Sequence, residues 1–232
     1  MTTAHLDTRA RALIVAERLK AEYPARSALV HRSPFELLVA TILSARTTDE
    51  RVNQVTPALF ARYPTVHDLA TASLADVEDI IRPTGFFRSK ARALVEMSQD
   101  LIARHGGEVP PRMEDLVRLR GVGRKTANVV LGVAFGIPAF IVDTHVARVT
   151  SRLGLTRSHD PVRIEADLCA LVPPSEWTGL SLRLILHGRR VCTARDPQHQ
   201  CCVLRDICPS ADRIAVAPGA PQRRRRRAVA RR

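Results

Sequence analysis

Hydrophobic residues recur along most of this chain at the three- and four-residue spacing of an amphipathic α-helix. In residues 8–23, for example, Leu13, Ala16, Leu19 and Tyr23 follow that spacing. No segment shows a convincing alternation of apolar and polar residues, which would indicate a β-strand. The sequence therefore predicts an all-α protein. Further helices are predicted at 34–45, 49–62, 75–82, 89–104, 112–119, 124–135, 144–153, 161–171 and 177–190.

Capping and breaking residues mark the ends of these helices. Starts are predicted at Ser33-Pro34, Thr48-Asp49 and Asp160-Pro161, where a side-chain oxygen can accept a hydrogen bond from the first turn. Stops are predicted at Pro64, at the glycine pair 106–107 and at the proline pair 173–174. No repeat of fixed period is present.

The composition excludes several classes of protein. With 232 residues, of which 45% are hydrophobic, the chain is long and apolar enough to fold around a buried core. It has no run of eighteen apolar residues, and its early apolar stretch, 12–16, is too short for a signal peptide. We therefore expect a cytoplasmic protein that is not bound to a membrane.

The chain is strongly basic, with 36 Lys and Arg against 23 Asp and Glu and a net charge of +13. Seven arginines fall in the last ten residues, within an Ala-, Pro- and Arg-rich segment, 211–232, that we predict to be a disordered tail. This charge favours a nucleic-acid partner, although a generally Arg-rich composition would also produce it. The tail adds non-specific attraction to phosphates, or is a solvated segment of no consequence.

A glycine-containing turn divides two helical patterns in the sequence LVRLRGVGRKTAN, residues 116–128. Gly121 and Gly123 permit positive φ, so the turn can be tight and its N–H groups can converge on an anion. Together with Arg124, at the start of the next helix, such a turn binds a DNA phosphate without reading bases. A plain connection between two helices would have the same pattern.

Lys125 and Asp143 are the candidate catalytic residues. Lys125 lies in the first turn of a predicted helix, where the helix dipole and the neighbouring Arg124 are expected to lower the pKa of its amine and make it nucleophilic. Asp143 could accept a proton from that amine and stabilise an oxocarbenium ion. From the residues alone, Lys125 as a phosphate contact and Asp143 as a helix cap are equally good interpretations.

The cysteines indicate a metal site. Cys192, Cys201, Cys202 and Cys208 fall within seventeen positions, a density that in a cytosolic protein favours metal ligands over disulfides. The fifth, Cys169, lies in an apolar helical pattern and is expected to be a small buried residue.

Several segments, taken in order, resemble the endonuclease III branch of the helix–hairpin–helix DNA glycosylase superfamily. They are LRGVGRKTANVVLGVAFGIPAFIVDTHVARVTSRLGL at 119–155, PFELLVATILSARTTDERVN and TGFFRSKARAL upstream, and LILHGRRVC downstream. The resemblance covers roughly residues 10–209 and implies two helical domains with a DNA-binding cleft between them. One is a six-helix barrel with the helix–hairpin–helix, residues 27–137. The other, 1–26 with 138–210, carries an iron–sulfur cluster loop.

The resemblance also implies an activity on double-stranded DNA that contains a damaged base or an abasic site. Lys125 matches the family's catalytic lysine, which attacks the sugar and forms a Schiff base, and Asp143 matches its essential aspartate. We expect a monomeric, nucleoid-associated enzyme that removes oxidised pyrimidines and then nicks the strand by β-elimination. The alternatives are a weakly active homologue that mainly binds damaged DNA, and a monofunctional glycosylase.

Two positions that the resemblance places at the flipped base depart from the family or allow another role. Arg46 stands where the family has a glutamine that fills the gap left by the base, so gap filling and opposite-base preference are open. Phe86 matches the apolar wedge that opens the duplex, or else packs in the core. Arg120 replaces the usual proline before the hairpin glycine and adds a cation.

The cysteine loop departs most from the family pattern, in which four cysteines, Cys-x6-Cys-x2-Cys-x5-Cys, hold a [4Fe–4S] cluster. Cys192, Cys202 and Cys208 match the first, third and fourth positions, but His199 occupies the second. His199 is the preferred fourth ligand, and Cys201 could replace it after a rearrangement of the loop. Alternatively the site binds zinc, for which three Cys and one His are a standard set, or it binds no metal.

Overall fold

The computed structural model describes residues 6–211, so the predicted tail lies outside the described residues apart from Ala211. Within this range the secondary structure is helical throughout, with no β-strand, which confirms the all-α class. The α-helices are α1 Thr8–Glu22, α2 Pro34–Leu43, α3 Asp49–Arg62, α4 Val66–Ala70, α5 Leu74–Ile81, α6 Phe87–His105, α7 Met113–Leu116, α8 Arg124–Val129, α9 Thr144–Arg152, α10 Pro161–Leu171 and α11 Trp177–Arg190.

The predicted capping residues start their helices as expected. Ser33 accepts from the Glu36 N–H at the start of α2, and Thr48 accepts from the Arg51 N–H at the start of α3. Asp160 caps α10 in the same way, with Pro161 in the first turn. Each cap satisfies a backbone donor that has no partner inside its own helix.

One helical prediction was too long, one was divided into two kinds of helix, and one helix was missed. The helix predicted at 112–119 is only the single turn α7. The pattern at 124–135 is divided between α8 and a π-helical turn, Val130–Ala134. The missed helix, α4, has too few residues for a hydrophobic period, but its capping box between Thr65 and Asp68 is a sequence signal that was available.

The helices surround two hydrophobic cores. Residues of α2–α8 form the first core, in which Leu37, Leu38, Leu94 and Met97 are fully buried. The second core joins α1 to α9, α10 and α11, and its largest fully buried side chain is Phe140. The chain thus leaves the second core after α1 and returns to it near residue 140. The boundaries predicted for the two domains stay a prediction.

Helix α11 contacts both cores. Leu180 and Leu184 are buried in the second core, whereas Leu182 packs against the first. Thr178 on the same helix donates a hydrogen bond to the Ala139 carbonyl (3.0 Å), in the segment that connects the cores. The face of α11 that lies between the two cores can therefore line a cavity at their junction.

None of the helices within residues 6–211 combines the length and apolar character that a membrane span requires.

Candidate active site

The turn between α7 and α8 is packed closely against α6. Gly121 has φ of 77°, and a Cβ atom added to it would lie 3.0 Å from the Ala93 Cβ atom. Gly123 has an ordinary extended backbone (φ −95°) and precedes α8 as its N-cap. Of the two glycines, only Gly121 uses the left-handed freedom that the sequence offered. The turn therefore presents Lys125 from a fixed position on the first core.

Lys125 lies in the first turn of α8 and its side chain is exposed. Within the described residues, its amine makes no ion pair or hydrogen bond. It lines a cavity of about 70 Å³ between the two cores, and Asp143 lines the same cavity. The two residues predicted to act together are eighteen positions apart in sequence, and the fold brings them to one site.

Asp143 is the N-cap of α9. Its Oδ1 atom accepts hydrogen bonds from the His145 and Val146 N–H groups, each at 2.8 Å. Its Oδ2 atom has no hydrogen-bond partner in the part of the chain that the structure describes. Asp143 therefore caps a helix and also lines the cavity that holds the lysine, so the two interpretations that the sequence left open are compatible.

An ion pair joins the two cores beside this cavity. The Arg189 guanidinium on α11 contacts the Asp49 carboxylate, at the start of α3, at 2.6 Å, and both side chains line the cavity with Lys125. The sequence marked Asp49 only as a helix start. Its partner lies 140 positions away, and no local pattern signals that pairing.

Arg124 is held in the protein rather than left free beside Lys125. Its guanidinium makes two hydrogen bonds to the Glu165 carboxylate on α10, at 2.7 and 2.8 Å. Glu165 also accepts from the Asn128 amide (3.0 Å). Glu165 therefore balances the like charge that the sequence places next to Lys125. That Arg124 contacts DNA stays a prediction, and Glu165 was not anticipated.

Arg46 and Phe86 lie next to each other on the surface. The Arg46 guanidinium carbon lies 4.9 Å above the Phe86 ring centre, in a cation–π contact. Phe86 is 59% exposed, so it does not belong to either core. Both residues have a left-handed backbone, with φ of 57° and 49°. Two residues predicted to enter the DNA therefore form one projecting pair.

The four preferred metal ligands line a second cavity together. Cys192, His199, Cys202 and Cys208 all contribute to its wall, whereas Cys201 does not. The Cys201 side chain is exposed, and its thiol lies 3.5 Å from the Gln198 carbonyl. The arrangement favours His199 over Cys201 as the fourth ligand.

The His199 ring gives a second reason to regard His199 as a metal ligand. Its Nε2 atom is buried and has no hydrogen-bond partner among the described residues, which is costly unless the atom binds something else. Burial raises the pKa of the Cys202 and Cys208 thiols, so metal binding must release their protons. No group of three or more His, Cys, Asp or Glu side chains within residues 6–211 is arranged to hold one metal ion.

Residues outside the cysteine motif complete this region. Arg152 donates to the Cys192 sulfur (3.3 Å) and to the Thr193 carbonyl (2.7 Å), which fixes the start of the loop. His187 Nε2 lies 3.6 Å from the Cys202 sulfur, and burial lowers the pKa of His187 to about 4. Neither residue was predicted, because each belongs to a helix that meets the loop only in the folded chain. Cys169 packs against the second core, and burial raises its pKa to about 11.

Comparison with known proteins agrees with these features. Residues 39–174 match the sequence model of the HhH-GPD superfamily of base excision DNA repair proteins. The endonuclease III of Synechocystis is 53% identical over 195 residues, which cover 83% of this chain and 89% of that protein. The endonuclease III of Bacillus subtilis is 46% identical over 181 residues, or 78% of this chain and 83% of that protein.

A solved structure of a trapped endonuclease III–DNA covalent intermediate superposes with a TM-score of 0.85. It is 43% identical, and the match covers 90% of this chain and 99% of that one. The fold and the hairpin thus define a base excision DNA repair protein of the HhH-GPD superfamily. Within that superfamily, the chain belongs to the endonuclease III family.

Proposed function

We propose that this protein is a bifunctional DNA glycosylase and abasic-site lyase that uses Lys125 as its nucleophile. The observation that carries the proposal is the shared cavity, which Lys125 and Asp143 enter from different cores. The chain belongs to a superfamily of base excision DNA repair proteins, and its relatives are endonucleases III. One endonuclease III was trapped as a covalent intermediate with DNA. The substrate is duplex DNA with an oxidised pyrimidine or an abasic site, which places the enzyme with the chromosome.

The chemistry needs the lysine as a free amine. The Lys125 amine bonds to the sugar C1′ as the bond from C1′ to the base breaks, and the base leaves with the bonding electrons and takes a proton from solvent. Asp143 is ionised during this step. It then accepts the proton that the attached nitrogen loses and returns it to the ring oxygen as the sugar ring opens to give the Schiff base. Removal of a C2′ proton then expels the 3′ phosphate. The negative charge of Asp143 also stabilises the cationic sugar in the first step.

Base extrusion requires a group that enters the duplex, and Arg46 with Phe86 fits that task. An exposed aromatic ring can separate stacked bases, and the guanidinium can occupy the space from which the damaged base has turned out. Arginine is charged and planar where the family has an amide, so the preference for the opposite base is expected to differ.

A [4Fe–4S] cluster bound by Cys192, His199, Cys202 and Cys208 is the cofactor that the cysteine loop fits best. The cluster is chiefly structural, since its cavity lies in the second core away from Lys125. Four separate ligands on four irons can stand farther apart than the ligands of one zinc ion, which lie about 2.0–2.3 Å from a single centre. A cluster can therefore be held by ligands placed around the wall of a cavity, as these four residues are.

Borohydride trapping on a duplex with an abasic site tests the proposed function. Reduction of the Schiff base should give a covalent protein–DNA adduct and the wild type should nick the strand, whereas Lys125→Ala gives neither. Because the hairpin binds phosphate through backbone groups, Lys125→Ala should still bind the duplex. On a duplex with an oxidised pyrimidine, a monofunctional glycosylase would release the base without any adduct, and a binding-only homologue would release no base.

A further inference from the structure

The turns that carry Arg46 and Phe86 hold their backbones in an unfavourable conformation. Both residues have positive φ, which is uncommon for side chains other than glycine because the Cβ atom crowds the backbone. Such a conformation persists only where surrounding contacts enforce it. Arg46 and Phe86 are adjacent and exposed but lie in separate segments of the chain. One interaction that supports both turns would therefore explain both conformations.

Lys90 on α6 supports both turns from the interior of the protein. Its side chain is buried, with only 5% of the residue exposed. The ammonium donates one hydrogen bond to the Leu43 carbonyl, at the end of α2, and another to the Thr84 carbonyl, both at 2.8 Å. Leu43 leads into the turn of Arg46, and Thr84 leads into the turn of Phe86. One side chain thus ties the two turns together.

A buried lysine stabilises the folded protein less than an apolar side chain of similar length. Within residues 6–211 no carboxylate forms an ion pair with it, so its charge is met only by carbonyl dipoles. Burial without a counter-charge lowers the pKa of Lys90 and disfavours the folded state relative to an apolar side chain of similar length. A residue that lowers the stability of the fold in this way is better explained by the two turns that it holds in position.

Thr47 adds a second link at the same acceptor. Its hydroxyl donates to the Thr84 carbonyl at 2.5 Å, and it directly follows Arg46 in the chain. The Thr84 carbonyl therefore accepts from both Thr47 and Lys90. The hydroxyl bond joins the two turns at the surface, and the ammonium bonds join them in the interior.

We propose that Lys90 and Thr47 are positioning residues for duplex opening, because their hydrogen bonds hold Arg46 and Phe86 together as a preassembled wedge. This inference rests on the proposed function, in which that pair enters the DNA. A wedge ordered before binding does not lose conformational entropy at the moment of base extrusion. Neither residue lines the cavity that Lys125 and Asp143 share, so both act only through the pair.

The test compares two substrates. Lys90→Met and Thr47→Val should slow excision of an oxidised pyrimidine from duplex DNA by about 10- to 100-fold, as expected for misplaced groups. Cleavage at an abasic site in a single-stranded oligonucleotide, where no partner strand must be displaced, should stay within about twofold of the wild type. Thr47→Ser keeps the hydroxyl and should restore duplex excision. Lys20→Met, at an exposed lysine that contacts Glu176, is the matched control and should change neither rate.

A double-mutant cycle with Phe86→Ala separates positioning from a general loss of stability. If Lys90 acts through the wedge, Lys90→Met should cost no more than about twofold in the Phe86→Ala background. Equal losses in both backgrounds, or full duplex excision by both Lys90→Met and Thr47→Val, would overturn the inference. If Lys90→Met does not fold, the Thr47→Val and Thr47→Ser pair decides in the same cycle. A wild type inactive on both substrates would instead refute the proposed function.

Discussion

Asp143 shows how one side chain serves both the fold and the site. One carboxylate oxygen receives two backbone N–H groups of α9, and the other has no partner in the described part of the chain. The cap needs only an oxygen acceptor, whereas proton transfer from Lys125 needs a negative charge. Stability and activity can therefore be separated by substitution at this residue.

Asp143→Asn should reduce base excision by at least about 100-fold, because the amide cannot accept the lysine proton. Its oxygen still caps α9, so the unfolding temperature should stay near that of the wild type. Asp143→Ala should lose the cap as well, at about 1 kcal/mol, or roughly 2–4 °C in unfolding temperature. Thermal denaturation and single-turnover excision measure both effects.

Asp160→Asn is the matched control, since Asp160 caps α10 through the same kind of bond and does not line the cavity. That variant should retain both excision and stability. An active Asp143→Asn enzyme would show that the carboxylate charge is not needed.

At the scale of elements, the hairpin turn owes its shape to one glycine. Gly121→Ala places a Cβ atom in a left-handed conformation and within 3.0 Å of the Ala93 methyl group. We expect a decrease of about 1–3 kcal/mol in the free energy of unfolding. Gly123→Ala meets nothing within 4 Å and should change that free energy by less than about 0.5 kcal/mol. Equal denaturation midpoints for the two variants would contradict this turn geometry.

The cysteine loop gives a second prediction at this scale. Protein purified without oxygen should be brown, with broad absorption near about 400 nm. His199→Ala should lose much of that absorption and of its iron, whereas Cys201→Ser should keep both, because of these two residues only His199 lines the cavity. His199→Cys should restore the absorption and lower the reduction potential, since thiolate replaces imidazole. The opposite order would make Cys201 the ligand, and a colourless zinc protein would exclude the cluster.

At the scale of the molecule, the site depends on how two cores meet. The Arg189–Asp49 and Arg124–Glu165 ion pairs each connect a helix of the first core to one of the second. The packing of the two cores at that junction sets the separation between Lys125 and Asp143. The net charge of +13 acts on the same scale, since it draws the whole molecule to a polyanion before any specific contact forms.

Removal of the residues after 210 should weaken the salt dependence of DNA affinity. The segment 211–232 carries eight arginines and one aspartate. For every DNA phosphate that the shortened protein no longer neutralises, the slope of log affinity against log salt concentration should fall by about 0.9. Single-turnover excision at saturating enzyme should not change, because the residues that line the catalytic cavity remain. An unchanged slope would mean that the tail binds no phosphates.

The sequence alone determined the helical class and most helix starts, and it predicted Lys125, Asp143 and the cysteine ligands as site residues. These depend on local spacing and on motifs of adjacent residues, which a linear chain displays in full. The short α4 escaped because five residues are too few for a periodic pattern.

Only the tertiary structure decided which side chains meet. Glu165 beside Arg124, Arg189 beside Asp49, and Lys90 beneath Arg46 and Phe86 are pairings between segments far apart in sequence. The exposed Cys201 and the half-buried His199 are two positions apart, and only folding assigns one to the cavity wall. The physical reason is that burial and ion pairing depend on the packing of whole helices, whereas capping and periodicity depend on neighbours within one turn.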